Sequence, residues 1–318
     1  MNKRDRVLNA MNLESVDHIP VGFWFHFQND QGKGQACVQA HLDYYNAIDV
    51  DMAKIMSDSY FDYPNPLAKS ARKPSDWYKM RSLGIDSPFI SEQIERAKAV
   101  KAGLRDDMVV IYNVFAPFSY LRFGVGDELI MSHLQEDPDA ILYALDVVAQ
   151  DAALLSELLI TQSGIDGIYY CVQGGEKSRF TTSEYRRLIG PSDEKVLNHA
   201  NSFSKTNVLH CCGWSGIPNN MEVWQDYQAK TVNWACHIEN MDLTAGKQFF
   251  NGRCVLGGFD NRPLSVLCSG NRKQVIEETR RLASIARKGL ILGADCTLPA
   301  SINKDQIRWV VETVKEMA

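Results

Sequence analysis

Residues 108–115 read MVVIYNVF and residues 165–171 read IDGIYYC. Both are short apolar runs rich in β-branched and aromatic side chains, the pattern of strands buried on both faces. A helical stretch separates them. Asp137-Pro138 supplies a cap with proline at the first helical position. Leu142, Leu145, Val148, Leu155 and Leu159 recur at near-helical spacing, and Ser163-Gly164 stops the run. Strand, long helix and strand make a βαβ unit, which predicts a parallel sheet.

The alternation continues in both directions. Further strands are predicted at His18–Phe25, Asp49–Met56, Asn207–Cys212, Thr231–Ala235, Cys254–Gly258 and Leu290–Ala294. Pro20 restricts the first of these to an edge or a strand start. Thr181 with Glu184, and Asn303 with Gln306, read as capping boxes. Arg272 to Arg287 reads as an amphipathic helix closed by Gly289. Eight strands alternating with helices in 318 residues predict an α/β fold, a TIM (β/α)8 barrel, as one domain over 1–318. The aromatic, proline-bearing stretch Phe61 to Lys101 reads as an insertion between strands two and three. An open doubly wound sheet is the competing architecture, but it needs a glycine-rich phosphate loop. Gly22-Phe23-Trp24 is not one, and Gly124-Val125-Gly126 lacks the third glycine.

Lys and Arg number 34 against 39 Asp and Glu, a net charge of −5, which excludes a general nucleic-acid binder. No run of about 18 apolar residues is present, so no membrane span is expected. The charged opening Met1 to Arg6 leads into no apolar segment, so the expected location is cytoplasmic, where thiols stay reduced. The eight cysteines form no C-x-x-C pair, which argues against a zinc ribbon or a thioredoxin-type motif. Cys37, Cys171, Cys236, Cys254 and Cys268 read as small buried hydrophobes.

Barrel enzymes place their chemistry at the C-terminal ends of the strands. There the sequence puts Trp24 to His26, Asp58, Asn113, Gln173 to Glu176, His210 to Cys212, His237, Asp260 and Asp295-Cys296. His210 and Cys212 are two apart on one strand and share a face, so they can share a metal, while Cys211 faces away. Cys296 would reach them across the mouth. One imidazole and two thiolates suit tetrahedral zinc with a position left open. Inert buried thiols are the competing reading. Glu176 and Asp295 are candidates for a fourth ligand, or for the acceptor that orients the histidine. Asp58 is a candidate base or polar anchor. His26, Asn113, Gln173 and His237 are candidate contacts to substrate or cofactor, with Asp260 beside them. The aromatics Trp24, Phe27, Tyr60, Phe61, Trp214 and Trp234 fall at or just past strand ends, which favours an apolar partner over a polyanion.

Four segments carry a resemblance: 6–20 (RVLNAMNLESVDHIP), 51–58 (DMAKIMSD), 208–213 (VLHCCG) and 289–299 (GLILGADCTLP). They resemble the uroporphyrinogen decarboxylase superfamily over nearly the whole chain, which implies a TIM barrel. Asp58 matches the key aspartate position of the decarboxylases. Those enzymes grip their substrate's carboxylates with an arginine-rich loop after strand one, whereas residues 22–28 here read GFWFHFQ. Cys296 stands where decarboxylases tend to have histidine. His210, Cys212 and Cys296 are instead similar to the H-x-C…C signature of the zinc-dependent corrinoid methyltransferase branch, which includes methylcobamide:coenzyme M methyltransferases and O-demethylase methyltransferases. For this chain the resemblance implies Zn²⁺ on those three residues and a corrinoid (cobalamin) carried on a separate corrinoid-binding protein. It also implies a small methyl donor or acceptor (a thiol, or a methoxy or methylated compound) and a monomer or homodimer. Tetrapyrrole decarboxylation is the alternative it implies.

Overall fold

The computed structural model describes residues 1–286 and 288–318. Seven parallel strands lie side by side in chain order: β1 (Met52–Ile55), β2 (Val109–Phe115), β3 (Gly167–Val172), β4 (Val208–Cys211), β5 (Thr231–Trp234), β6 (Cys254–Phe259) and β7 (Leu290–Ala294). They correspond to predicted strands two to eight. Every strand residue is buried, as expected of a parallel sheet covered on both faces.

The predicted strand at His18–Phe25 does not form a ladder. It makes isolated parallel bridges, Val21 with Leu292 and Phe25 with Leu298. Pro20 has no N–H to donate, yet its carbonyl accepts from Leu292 (2.8 Å) and Gly22 N–H donates back to Leu292 (2.9 Å). On its other side, Val21 carbonyl accepts from Asp51 N–H (2.8 Å). The segment thus touches both edges of the curled sheet. Helix Lys3–Met11 covers the N-terminal end, where Val7, Ala10 and Met11 pack with Val109, Ile111, Tyr169, Val208, Leu256 and Ile291.

Local sequence sets the helix ends. Asp137 accepts from Ala140 N–H at the start of helix Pro138–Ser163, and Gly164 ends it in the left-handed conformation (φ 74°). Thr181 and Glu184 form the expected capping box. Asn303 caps helix Lys304–Glu316 through Asp305 N–H, but Gln306 turns away to the Gly270 carbonyl. The amphipathic helix is shorter than predicted, Arg272–Ala283, and Arg287 lies outside the described residues. The stretch 61–101 holds the short helices Leu67–Ser70 and Pro74–Trp77 and most of helix Pro88–Gly103. Among the described residues no helix is long and apolar enough to cross a membrane.

Candidate metal centre

Register brings the first groups together. His210 on β4 pairs with Cys171 on β3 and with Asn233 on β5. Cys212 follows on the same face, as strand alternation requires. Cys296 comes from the turn after β7, with its Sγ 3.5 Å from His210 Nε2 and 3.9 Å from Cys212 Sγ. Cys171 Sγ, a ring nitrogen of His210 and Cys212 Sγ lie within 4.8 Å of one another. The two triads share His210 and Cys212, so three thiols and one imidazole make a possible metal site. Cys171, read from sequence as inert packing, belongs to it.

Asn233 decides which histidine nitrogen faces the thiols. Its amide donates to the carbonyls of Leu256 (2.8 Å) and Ala294 (3.1 Å), which fixes its orientation. Its oxygen therefore accepts, from Tyr169 O–H (2.6 Å) and from His210 Nδ1. The proton sits on Nδ1 and the Nε2 lone pair points to Cys296, the arrangement of a metal-binding imidazole held by a neighbouring acceptor. Nearby, Gln173 Nε2 donates to Cys212 Sγ at 3.6 Å, and its oxygen is buried without a partner. The Cys212 thiol is held above its ordinary range by its neighbour Cys171, and that of Cys296 by Cys212, with burial adding to both. A bound divalent cation would reverse that bias and favour the thiolates.

These groups line a cavity of about 660 Å³. Phe61, Phe115, Phe123 and Trp214 give it apolar walls, and His26, Lys54, Asn113 and Gln173 contribute polar groups. Trp214 is 55% exposed, while Asn113 is buried and donates to Ser57 Oγ (2.8 Å). His26 is held through Nδ1 by Asp58 (2.7 Å), whose other oxygen accepts from Phe27 N–H (2.7 Å).

Other expected residues are placed elsewhere. Glu176 does not reach the thiols. It accepts from Arg122 (3.3 Å) and Arg179 (2.9 Å) in a buried ion-pair cluster. Asp295 accepts from the backbone N–H and Nδ1 of His237 (2.9 and 2.7 Å), which raises the pKa of that imidazole, and His237 faces a separate cleft. Asp260 pairs with Arg262. Trp24 is buried against Tyr169. Trp234 points outward from the strands, its Nε1 on the Met241 carbonyl (2.8 Å). Gly246 lies flush against its indole, where a Cβ would come within 1.9 Å.

Sequence reasoning missed Cys171, Asn233 and Lys54. Alternation was the available signal for the first: Cys171 and Gln173 share a face, as His210 and Cys212 do.

A methyltransferase from Methanosarcina mazei has the same fold, with TM-score 0.81 at 14% identity, covering 100% of this chain and 99% of that one. Two glycoside hydrolases of family 5 are far less similar. One, from Bacteroides vulgatus, has TM-score 0.43 at 8% identity, covering 87% and 58% of the two chains. The other, a Bacteroidetes-affiliated cellulase, has TM-score 0.44 at 11% identity, covering 98% and 93%. No curated protein matches the sequence at a significant level. The uroporphyrinogen decarboxylase (URO-D) family matches residues 2–317. That span takes in the covering helix, the seven strands and the thiol cluster together, and the chain belongs to the uroporphyrinogen decarboxylase (URO-D) family.

Proposed function

We propose that this protein is a zinc-dependent methyltransferase that moves a methyl group between a corrinoid on a separate protein and a small substrate. Under this reading, residues 1–318 form a single (β/α)8 barrel in which Pro20–Phe25 is the eighth stave and 61–101 contributes a lid. It works in the cytoplasm, which suits eight free thiols.

The observation that carries the proposal is the convergence of His210, Cys212 and Cys296 in an apolar cavity, with His210 Nε2 turned toward the thiols by the Asn233 contact to Nδ1. The donor set fits zinc: borderline-soft, sulfur and nitrogen donors, and an open side toward the cavity. Zinc held there supplies Lewis acidity, which favours the thiolate of a thiol substrate or polarises the oxygen of a methyl ether.

The chain's own groups do the rest. His210, Cys212 and Cys296 would hold the metal. Asn233 fixes the imidazole. The unpartnered oxygen of Gln173 is free to accept a hydrogen bond from a bound substrate. Phe61, Phe115, Phe123 and Trp214 exclude water and suit the apolar body of a substrate or the face of a corrin ring. Asp58 anchors His26. Both Asp58 oxygens are engaged and residues 22–28 bring no guanidinium, so nothing at that position favours tetrapyrrole decarboxylation.

The test joins two measurements on one preparation. Wild type is expected to carry one zinc per chain and to change the visible spectrum of methylcobalamin in the presence of a thiol, or of a reduced corrinoid in the presence of a methoxy compound. Cys296→Ala is expected to lose both. Zinc-free wild type with full activity would overturn the reading.

A further inference from the structure

One buried amine inside the cavity has no direct ion-pair partner among the described residues. Lys54, on β1, is 2% exposed. Strand alternation turns it to the inside, between Met52 and Met56. Its Nζ lies 3.8 Å from the centroid of the Tyr169 ring and 5.0 Å from that of Trp24. Among the described residues, no carboxylate pairs with it and no acceptor takes its protons. Burial lowers its pKa to about 8, while the thiols of Cys171, Cys296 and Cys212 and the more remote Asp58 carboxylate pull it upward.

Among the described residues, none of those that line the cavity is Asp or Glu, and the other lining cation, Arg262, is already paired with Asp260. An ammonium in an apolar enclosure is costly unless something anionic meets it, and aromatic faces compensate only partly.

We propose that Lys54 is the anion-recognition residue of this cavity, and that the substrate is a small molecule with an apolar or aromatic body and one carboxylate. The inference rests on the cavity being the substrate site under the function proposed above, but not on the metal or on methyl transfer. Phe61, Phe115 and Phe123 would pack the body of such a molecule while Lys54 takes the carboxylate as a charge-assisted hydrogen bond.

Calorimetric titration with benzoate and its neutral isostere benzamide tests this on the full chain, with zinc content measured on the same samples. Wild type is expected to bind benzoate more tightly than benzamide. Lys54→Met is expected to weaken benzoate about 10- to 100-fold, the loss of one hydrogen bond to a charged group, and to leave benzamide unchanged. Lys54→Arg is expected to restore part of the preference. Equal affinity for the two probes in wild type overturns the proposal, and this comparison does not depend on the variants folding. Benzoate binding unchanged in folded Lys54→Met also overturns it. If that variant has also lost zinc, Lys54 is a counter-charge to the thiolates instead. Benzoate selectivity in a protein that binds no zinc supports the anion site and removes the metal reading alone.

Discussion

His210 donates its Nδ1 proton to the side-chain oxygen of Asn233, an amide whose own two protons go to the main-chain carbonyls of Leu256 and Ala294. β4, β5, β6 and β7 are thus tied to one imidazole. Replacing Asn233 with Leu frees the ring to change tautomer and to rotate. The expected result is zinc affinity weaker by about 10- to 100-fold, read by competition with a chromophoric chelator. Unchanged affinity would mean that the thiols alone hold the metal.

Cys171 raises the question of how many thiolates bind. Cobalt(II) in place of zinc reports the number, because each sulfur ligand adds to the charge-transfer absorption. Wild type and Cys171→Ala are expected to give the same two-thiolate intensity, and Cys296→Ala, which does not retain the metal, none. A drop in Cys171→Ala would make it a ligand and would close the position left for substrate.

Glu176 is predicted to matter for stability and not for metal. Its carboxylate is 3% exposed and lies between Arg122 and Arg179. Both arginines also bond Asp127, so removing Glu176 costs its buried charged hydrogen bonds without leaving a bare charge, about 1–3 kcal/mol. Urea unfolding of Glu176→Ala should show that loss at unchanged zinc content. A folded variant depleted of zinc would return Glu176 to the ligand set.

Asp193 predicts a pH dependence. It is fully buried, accepts from Tyr185 and Tyr227 hydroxyls (2.7 and 3.2 Å), and burial pushes its carboxyl up to about 7. The folded state favours its protonated form. Its contribution to stability is therefore complete below the unfolded pKa of about 4 and is lost as pH rises through about 7. Asp193→Asn removes this titration. Unfolding free energies from urea titrations at pH 4, 6 and 8 should fall for wild type relative to the variant, by a total on the order of a few kcal/mol. Parallel pH profiles would contradict this.

The strands were legible where residue type and burial agree. Residues 108–115 became β2 almost unchanged because β-branched side chains buried on both faces leave little choice. The pair His210 and Cys212 was legible from spacing, and Cys296 from its place at a strand end. Asn233 was not, because its role depends on which strand lies beside β4, a matter of register. Lys54 was hidden because a lysine in a strand reads as solvent-facing. Glu176 was misread although Arg179 three residues on offered a local partner, because Arg122, which buries the pair, is 54 residues away.

Sheet neighbours are sequence neighbours here, so six of the seven elements can pair as soon as the next one is made. The bridge between residues 20–24 and Leu292 and Leu298 is different, joining segments about 270 residues apart. That bridge is the longest-range contact of the sheet, and Cys296 lies between its two anchor points, Leu292 and Leu298. A nascent chain halted before β7 would display Cys171, His210 and Cys212 to solvent without the thiol that meets His210. Assembly of the site is thus coupled to the last strand made, and a protein in which Cys296 meets His210 has already paired β7 with β6.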